Sequence, residues 1–367
     1  MKIGILTSSR ADFGIYTPLI NELYNDNFFN VEIIAFGTHL SEKFGETYKQ
    51  IEKSGFTVNH KIKTLPKGDK PQNISEAIGE TIVKFSEFWN KNNFDLVFAL
   101  GDRYEMFAAV SAASPFNISI AHIHGGETTL GAIDNAYRHS ISLFSKIHFT
   151  TTEQYKNRVS ELIENNKNIY NVGALSIDNL KKIKFYSISE FKETFNIDLS
   201  IPTILVTFHP ETVSFEKNKE YISELLSAID DLKNYQTVLT MPNADTMGLH
   251  IRNEIIKFTK THTDNFIAVE NFGLKGYLSA MKHCAFMLGN TSSGFVEAAF
   301  FPKYVINLGN RQKGRIITKN IINCEIKKDK ILSAIKQIEK NPVIENVNIY
   351  GDGTTAKQIV KILKTKV

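Results

Sequence analysis

Short apolar runs alternate with stretches of helical spacing from the first residues onward. The runs are KIGILTSS (2–9), VEIIAFGT (31–38), DLVFALGD (95–102), ISIAHIHGG (118–126) and KIHFTTT (146–152). Between them lie stretches such as IYTPLINELY (15–24) and NISEAIGETIVKFSEFWNK (73–91). A strand that is apolar on both faces must be covered on both, and in a parallel sheet the intervening helices do this. The pattern restarts with PTILVTFHP (202–210), QTVLTMPN (236–243), FIAVENF (266–272), AFMLGNTSSG (285–294) and YVINLGN (304–310). The expected fold class is α/β: two Rossmann-like domains, each a doubly wound parallel sheet, facing an interdomain cleft. Their expected extents are 1–180 and 181–350, with a polar hinge within 180–202. A last helix in 351–367 is free to pack back on the N-terminal domain.

At 367 residues the chain has the length of two domains and needs no covalent staples. Its two cysteines, Cys284 and Cys324, form neither a disulfide framework nor a zinc motif. Reduced thiols, no signal-peptide pattern at the start and no apolar run of membrane-spanning length point to a cytoplasmic protein without membrane attachment. The net charge of +4 is spread along the chain. It suits an anionic small ligand and gives no nucleic-acid footprint.

Ligands of open α/β sheets bind where the strands stop. The strand ends here carry SSRAD, GTHLSEKFG, GDRYE, HIHGGE, HPE, MPNAD, GNTSSG and GNRQKGR. GNTSSGFVEAAFF (289–301) reads as strand end, small polar loop and helix. Ser292, Ser293 and Gly294 would then offer N–H and hydroxyl donors to a phosphate, with Glu297 either capping the helix or gripping a ribose. No GxGxxG follows the first strand, which argues against a dinucleotide oxidoreductase. Arg10 instead offers a guanidinium fork to a diphosphate, or pairs with Asp12 on the surface. Arg311 and Arg315 are candidate cations of the second domain, or equally surface charges. His39 could line a sugar pocket; Tyr16, Phe44 and Phe272 could stack on a base or close the sugar pocket, although such aromatics more often belong to the core; and Asn243 and Asp245 end a strand.

Residues 121–140, AHIHGGETTLGAIDNAYRHS, hold the densest group of chemistry-bearing side chains. His122 and His124 alternate as on a strand and so share a face, which leaves a metal-dependent hydrolase as one reading. His122 lies deeper and suits the core, whereas His124 stands at the Gly-Gly exit. His139 follows Arg138 in a helix expected over 133–144.

Taken in order, SRADFG, GTHLSEKFGETYKQIEKSGF, GDRYEMFAAV, HIHGGETTLGAIDNAYRHSISLFSKIHF and GNTSSGFVEAAFFPKYVINLGNRQKGR resemble the hydrolysing nucleotide-sugar 2-epimerases. The resemblance covers nearly the whole chain and is nearest to the branch that makes sialic and legionaminic acid precursors. It implies a glycosyltransferase-B-like fold, a homodimer, and no NAD or metal cofactor. It implies elimination of UDP from a UDP-2-acetamido sugar to a 2-acetamidoglycal, then hydration with inversion at C2. UDP-N-acetylglucosamine would give N-acetylmannosamine and UDP; UDP-N,N′-diacetylbacillosamine is the alternative donor.

The resemblance places catalysis at Asp102, Glu127 and Asp134, with His209 at the reacting region or phosphate. Arg10, Ser292, Ser293 and Glu297 match the nucleotide-diphosphate grip, and Arg138 and His139 belong to the central motif. Relatives carry a glutamate where this chain has His124. Either His124 transfers the proton or Glu127 takes over. A transferase of the same fold and a non-enzymatic nucleotide-sugar binder are the further alternatives.

Overall fold

The computed structural model describes residues 1–42, 45–65, 68, 70–242, 247–262 and 265–366. The chain forms two compact units. One comprises Met1–Glu127, Asp134–Lys181 and Tyr350–Val367, and the other Thr128–Ile133 and Lys182–Ile349.

The first unit holds β1 (Lys2–Thr7), β2 (Asn30–Phe36), β3 (Val58–Ile62), β4 (Leu96–Leu100), β5 (Ile120–Ile123), β6 (Ile147–Thr150) and β7 (Ile169–Asn171). They form one parallel sheet in the order β3-β2-β1-β4-β5-β6-β7. The order reverses beside β1, so the ends of β1, β4 and β5 open at the switch point where such sheets take ligands. Ile3, Ile5, Ile33, Phe98 and Phe149 face one helix layer, and Leu6, Ile34, Val97 and Ala99 the other. Both faces are therefore covered, as the continuous apolar runs require.

The second unit holds β8 (Thr203–Thr207), β9 (Gln236–Thr240), β10 (Phe266–Val269), β11 (Phe286–Gly289), β12 (Val305–Leu308) and β13 (Ile321–Cys324). Its parallel order is β10-β9-β8-β11-β12-β13. Both units are thus Rossmann-like. No helix among the described residues is long and apolar enough to cross a membrane.

The last helix, Thr355–Lys366, belongs to the first unit. Ala356, Ile359 and Leu363 are fully buried in the core beside β1 and β2, while Lys357, Lys361 and Lys364 stay exposed. Its start is capped from afar: the Asp178 carboxylate accepts the N–H groups of Thr355 (3.0 Å) and Ala356 (2.8 Å). A carboxylate at a helix N-terminus satisfies orphan donors and meets the positive end of the dipole.

Three expectations, for His39, Phe272 and Tyr16, are corrected here. His39 is fully buried, with Nε2 2.9 Å from Thr7 Oγ1 and Nδ1 2.8 Å from Thr47 Oγ1, which leaves neither ring nitrogen for a sugar. Phe272 packs into an aromatic cluster with Phe191 and Phe195, at 5.4 and 5.0 Å between ring centres, and Tyr16 is likewise core. Phe44, Asn243 and Asp245 lie outside the described residues.

Candidate active site

The strand ends of the first unit and the helix that follows bring four of the sequence-predicted residues, Asp102, His124, Glu127 and Arg138, into one hydrogen-bonded cluster. Gly101 and Asp102 leave β4, and His124 to Glu127 leave β5. The helix Asp134–Phe144 supplies Asp134 at its first residue and Arg138 one turn on. Glu127 is buried and is the hub. One oxygen lies 2.7 Å from His124 Nδ1 and accepts from Thr151 Oγ1 at 3.2 Å; the other accepts from Arg138 Nη1 at 3.4 Å. The second terminal nitrogen of Arg138 donates to Asp102. Arg138 is itself buried, so its charge is matched by two carboxylates rather than by water.

A carboxylate only accepts, so His124 carries its proton on Nδ1. Nε2 is then the basic lone pair, and it is buried without a hydrogen-bond partner among the described residues. The ring reaches this place through an unusual backbone. His124 lies past the end of β5 with φ +68°, a left-handed conformation that a non-glycine residue holds only when its surroundings impose it. Its N–H is fixed to the Phe149 carbonyl at 3.1 Å. The strand alternation therefore stops at Ile123, and His122 and His124 do not share a face by that rule. Gly126 has φ +79°, and a Cβ there would lie 2.3 Å from the Tyr155 carbonyl, so the loop can turn at this point only on glycine.

His122 is fully buried, with Nε2 2.8 Å from the Gly101 carbonyl and Nδ1 2.9 Å from Ser142 Oγ. Both nitrogens are engaged, which removes the metal-ligand reading of the HIH motif. Among the described residues no three His, Cys, Asp or Glu are grouped to hold a metal. Asp134 is half-buried. So is His139, whose pKa is lowered by burial and by the nearby Arg138 and Arg158. Arg10 is the half-buried first residue of the helix Arg10–Tyr24, which Ser9 and Asp12 close with a capping box. Asp12 accepts the N–H groups of Ser8 (2.8 Å) and Ser9 (2.9 Å) and the Thr7 hydroxyl (3.0 Å).

In the second unit the stretch after β11 is not the expected helix. It forms two short 3₁₀ turns, Ser292–Gly294 and Ala298–Phe300, before Pro302 ends the segment. The summed dipole of a long helix is therefore absent, and any anion would be met by local donors only. Ser292 is exposed. Ser293 Oγ lies 2.6 Å from Tyr277 Oη and 3.1 Å from Thr291 Oγ1, so its orientation is set by a tyrosine that no motif announced. Tyr277 is in turn 3.4 Å from Thr207, and burial pushes its pKa up to about 12, so it acts as a neutral hydroxyl. Glu297 stands half-buried between the two turns.

His209 follows β8 and is held by its backbone. Buried Asn290 accepts the His209 N–H at 2.7 Å and donates to the His209 carbonyl at 2.8 Å. Gln312 bonds the Asn290 carbonyl at 2.9 Å and accepts from Arg315 Nε at 2.6 Å. Glu211 accepts the N–H groups of Asn310 (2.5 Å) and Arg311 (3.1 Å), and Arg311 Nε donates to the Pro210 carbonyl at 3.2 Å. Both arginines are buried, so HPE and GNRQKGR form one knit rim rather than a fringe of surface charge. The segment Thr128–Ile133 packs with this unit: Leu130 N–H donates to the Lys313 carbonyl and Ile133 N–H to Thr212 Oγ1, both at 2.9 Å.

The profile of the UDP-N-acetylglucosamine 2-epimerase family matches residues 21–364. The chain is 38% identical to the GDP/UDP-N,N′-diacetylbacillosamine 2-epimerase (hydrolyzing) of Campylobacter jejuni, over 89% of this chain and 84% of that one. It is 31% identical to the UDP-N,N′-diacetylbacillosamine 2-epimerase (hydrolyzing) of Legionella pneumophila, over 99% and 96%. The fold is also that of the UDP-GlcNAc 2-epimerase of Neisseria meningitidis solved with UDP-GlcNAc, at TM-score 0.85 and 20% identity over the whole of both chains. With matches of this extent and identity, the chain is an enzyme of the UDP-N-acetylglucosamine 2-epimerase family.

Proposed function

We propose that this enzyme is a hydrolysing 2-epimerase. It would convert a UDP-2-acetamido sugar to the free 2-epimeric sugar and UDP, through a 2-acetamidoglycal. The observation that carries the mechanism is the His124–Glu127 pair: a carboxylate fixes one ring nitrogen and leaves the other, buried and unpartnered, as a base. In the first half-reaction His124 Nε2 takes the C2 proton. The C2–H electron pair becomes the C1=C2 bond, and the C1–O bond breaks toward the departing UDP. Asp102, ion-paired with Arg138, faces the cationic character that develops at C1. In the second half-reaction Asp134 in its acid form delivers a proton to C2 from the opposite side while water adds at C1; the proton water gives up and the one held by His124 pass to solvent, from which Asp134 is reprotonated. Ser293, His209, Arg311 and Arg315, all of the second unit, are the proposed groups for the diphosphate. No cofactor enters these steps.

The names of the Campylobacter and Legionella relatives favour a 2,4-diacetamido-6-deoxy donor, UDP-N,N′-diacetylbacillosamine. A 29% identical UDP-N-acetylglucosamine 2-epimerase of Neisseria meningitidis supports UDP-N-acetylglucosamine as the second reading. The test is parallel turnover of both donors, as UDP and as GDP conjugates, without added acceptor and followed by NMR. Free nucleotide and 2-epimeric sugar in equal amounts are expected, fastest with the diacetamido donor. Nucleotide release only on adding an acceptor would identify a transferase instead.

A further inference from the structure

We propose that His122 is a positioning residue for this reaction: it ties the Asp102 turn to the helix that carries Asp134 and Arg138. The proposal rests on the functional reading above and adds to it a group that touches no substrate.

Three elements meet at this ring. His122 sits on β5. Its Nε2 is 2.8 Å from the carbonyl of Gly101, the residue before Asp102. Its Nδ1 is 2.9 Å from the hydroxyl of Ser142, on the helix Asp134–Phe144. A carbonyl can only accept, so Nε2 carries the proton, Nδ1 is the acceptor and Ser142 donates to it. Burial pushes the His122 pKa down to about 3, and the ring stays in this one neutral tautomer. The titratable groups acting on it are His148, its register partner on β6, with His124 and Glu127.

Ser142 is one helical turn after Arg138, on the same face. The helix therefore grips the end of β4 twice. One grip is charged, Arg138 on Asp102. The other is neutral, Ser142 through His122 to Gly101. During turnover the charge around Asp102 changes and the first grip changes with it. The second does not, which is what holding a carboxylate in register requires. A Cβ at Gly125 would lie 3.0 Å from Ser142 Oγ and 3.1 Å from His122 Nδ1, so the first glycine of the Gly-Gly pair leaves room for this bond.

The test compares His122→Phe, His122→Gln and Ser142→Ala in the full-length chain, measuring kcat, KM and UDP binding. His122→Phe should lower kcat about 10²-fold, with KM and UDP affinity within about 3-fold, because only the placement of Asp102 is lost. Glutamine can donate to Gly101 and accept from Ser142, so His122→Gln should recover about 10-fold of that loss. Ser142→Ala should fall between the two. An unchanged kcat in His122→Phe, or kcat and UDP binding lost together, would overturn the proposal. If His122→Phe does not fold, Ser142→Ala and the ¹⁵N-histidine spectrum of the unmodified chain decide. One ring should show the Nε2–H tautomer and no titration between about pH 5 and 8. A His122 signal that titrates in that range would refute the tie. Absence of turnover in the unmodified chain on every donor would overturn the functional reading instead, and the spectrum would still decide the tie on its own.

Discussion

The two oxygens of Glu127 serve His124, Thr151 and Arg138. Replacing it by glutamine keeps the shape but turns one acceptor into an amide donor. Facing an N–H on His124, that donor would favour the other tautomer and place the proton on Nε2, where the base is needed. Glu127→Gln should therefore lower kcat by about 10²–10⁴-fold while KM moves only a few-fold. Asp102→Asn should act similarly on kcat and leave UDP affinity largely intact; equal loss of affinity and rate would make Asp102 a binding residue. Much of this cluster is legible in the sequence because Asp102, His124, Glu127, Asp134 and Arg138 crowd two strand ends and one helix start. Its supports are not. Thr151 is one threonine of a TTT run, and Tyr277 reaches Ser293 from sixteen positions earlier in the chain. Hydroxyls that act through one or two hydrogen bonds leave no pattern in composition or spacing. His39, conversely, is a polar residue at a strand end whose two ring nitrogens are taken by threonines.

At the scale of elements, each of the ten apolar runs forms a strand, and the three further strands among the described residues are edge strands: β3, β7 and β13. An edge strand is covered less, so it needs no continuous apolar run; β3, VNHKI, carries three polar residues between two apolar ends. The apolar residues after GNTSSG suit a helix, yet the segment closes into 3₁₀ turns ahead of Pro302. The last helix depends on a contact no local pattern reveals, the Asp178 carboxylate on its first two N–H groups. Asp178→Ala leaves those buried donors without that acceptor. It should lower unfolding stability by about 1–3 kcal/mol in urea melts of the full chain. A change below about 0.5 kcal/mol would show that the cap contributes little.

For the molecule as a whole, the restart of the strand pattern announces two Rossmann-like units. It cannot announce that Thr128–Ile133, between Glu127 and Asp134, packs with the second unit, because that depends on contacts with residues far along the chain. Buried histidines add a pH dependence. Burial lowers His122 to about 3 and His148 to about 4, against ~6.5 in an unfolded chain. Between those values the unfolded chain binds more protons. The stability tied to both neutral rings is therefore complete above pH ~6.5 and is lost as pH falls toward the folded values. Urea midpoints should be flat from about pH 7 to 8 and drop below about pH 6, with a shallower drop in His148→Leu. A slope unchanged by that substitution would remove His148 from the account. The central claim concerns C2, and turnover in D2O tests it most directly. Elimination and hydration predict deuterium at C2 of the released 2-epimeric sugar in every product molecule. Product that keeps its original C2 proton, with UDP released, would contradict the claim and identify simple glycosyl hydrolysis.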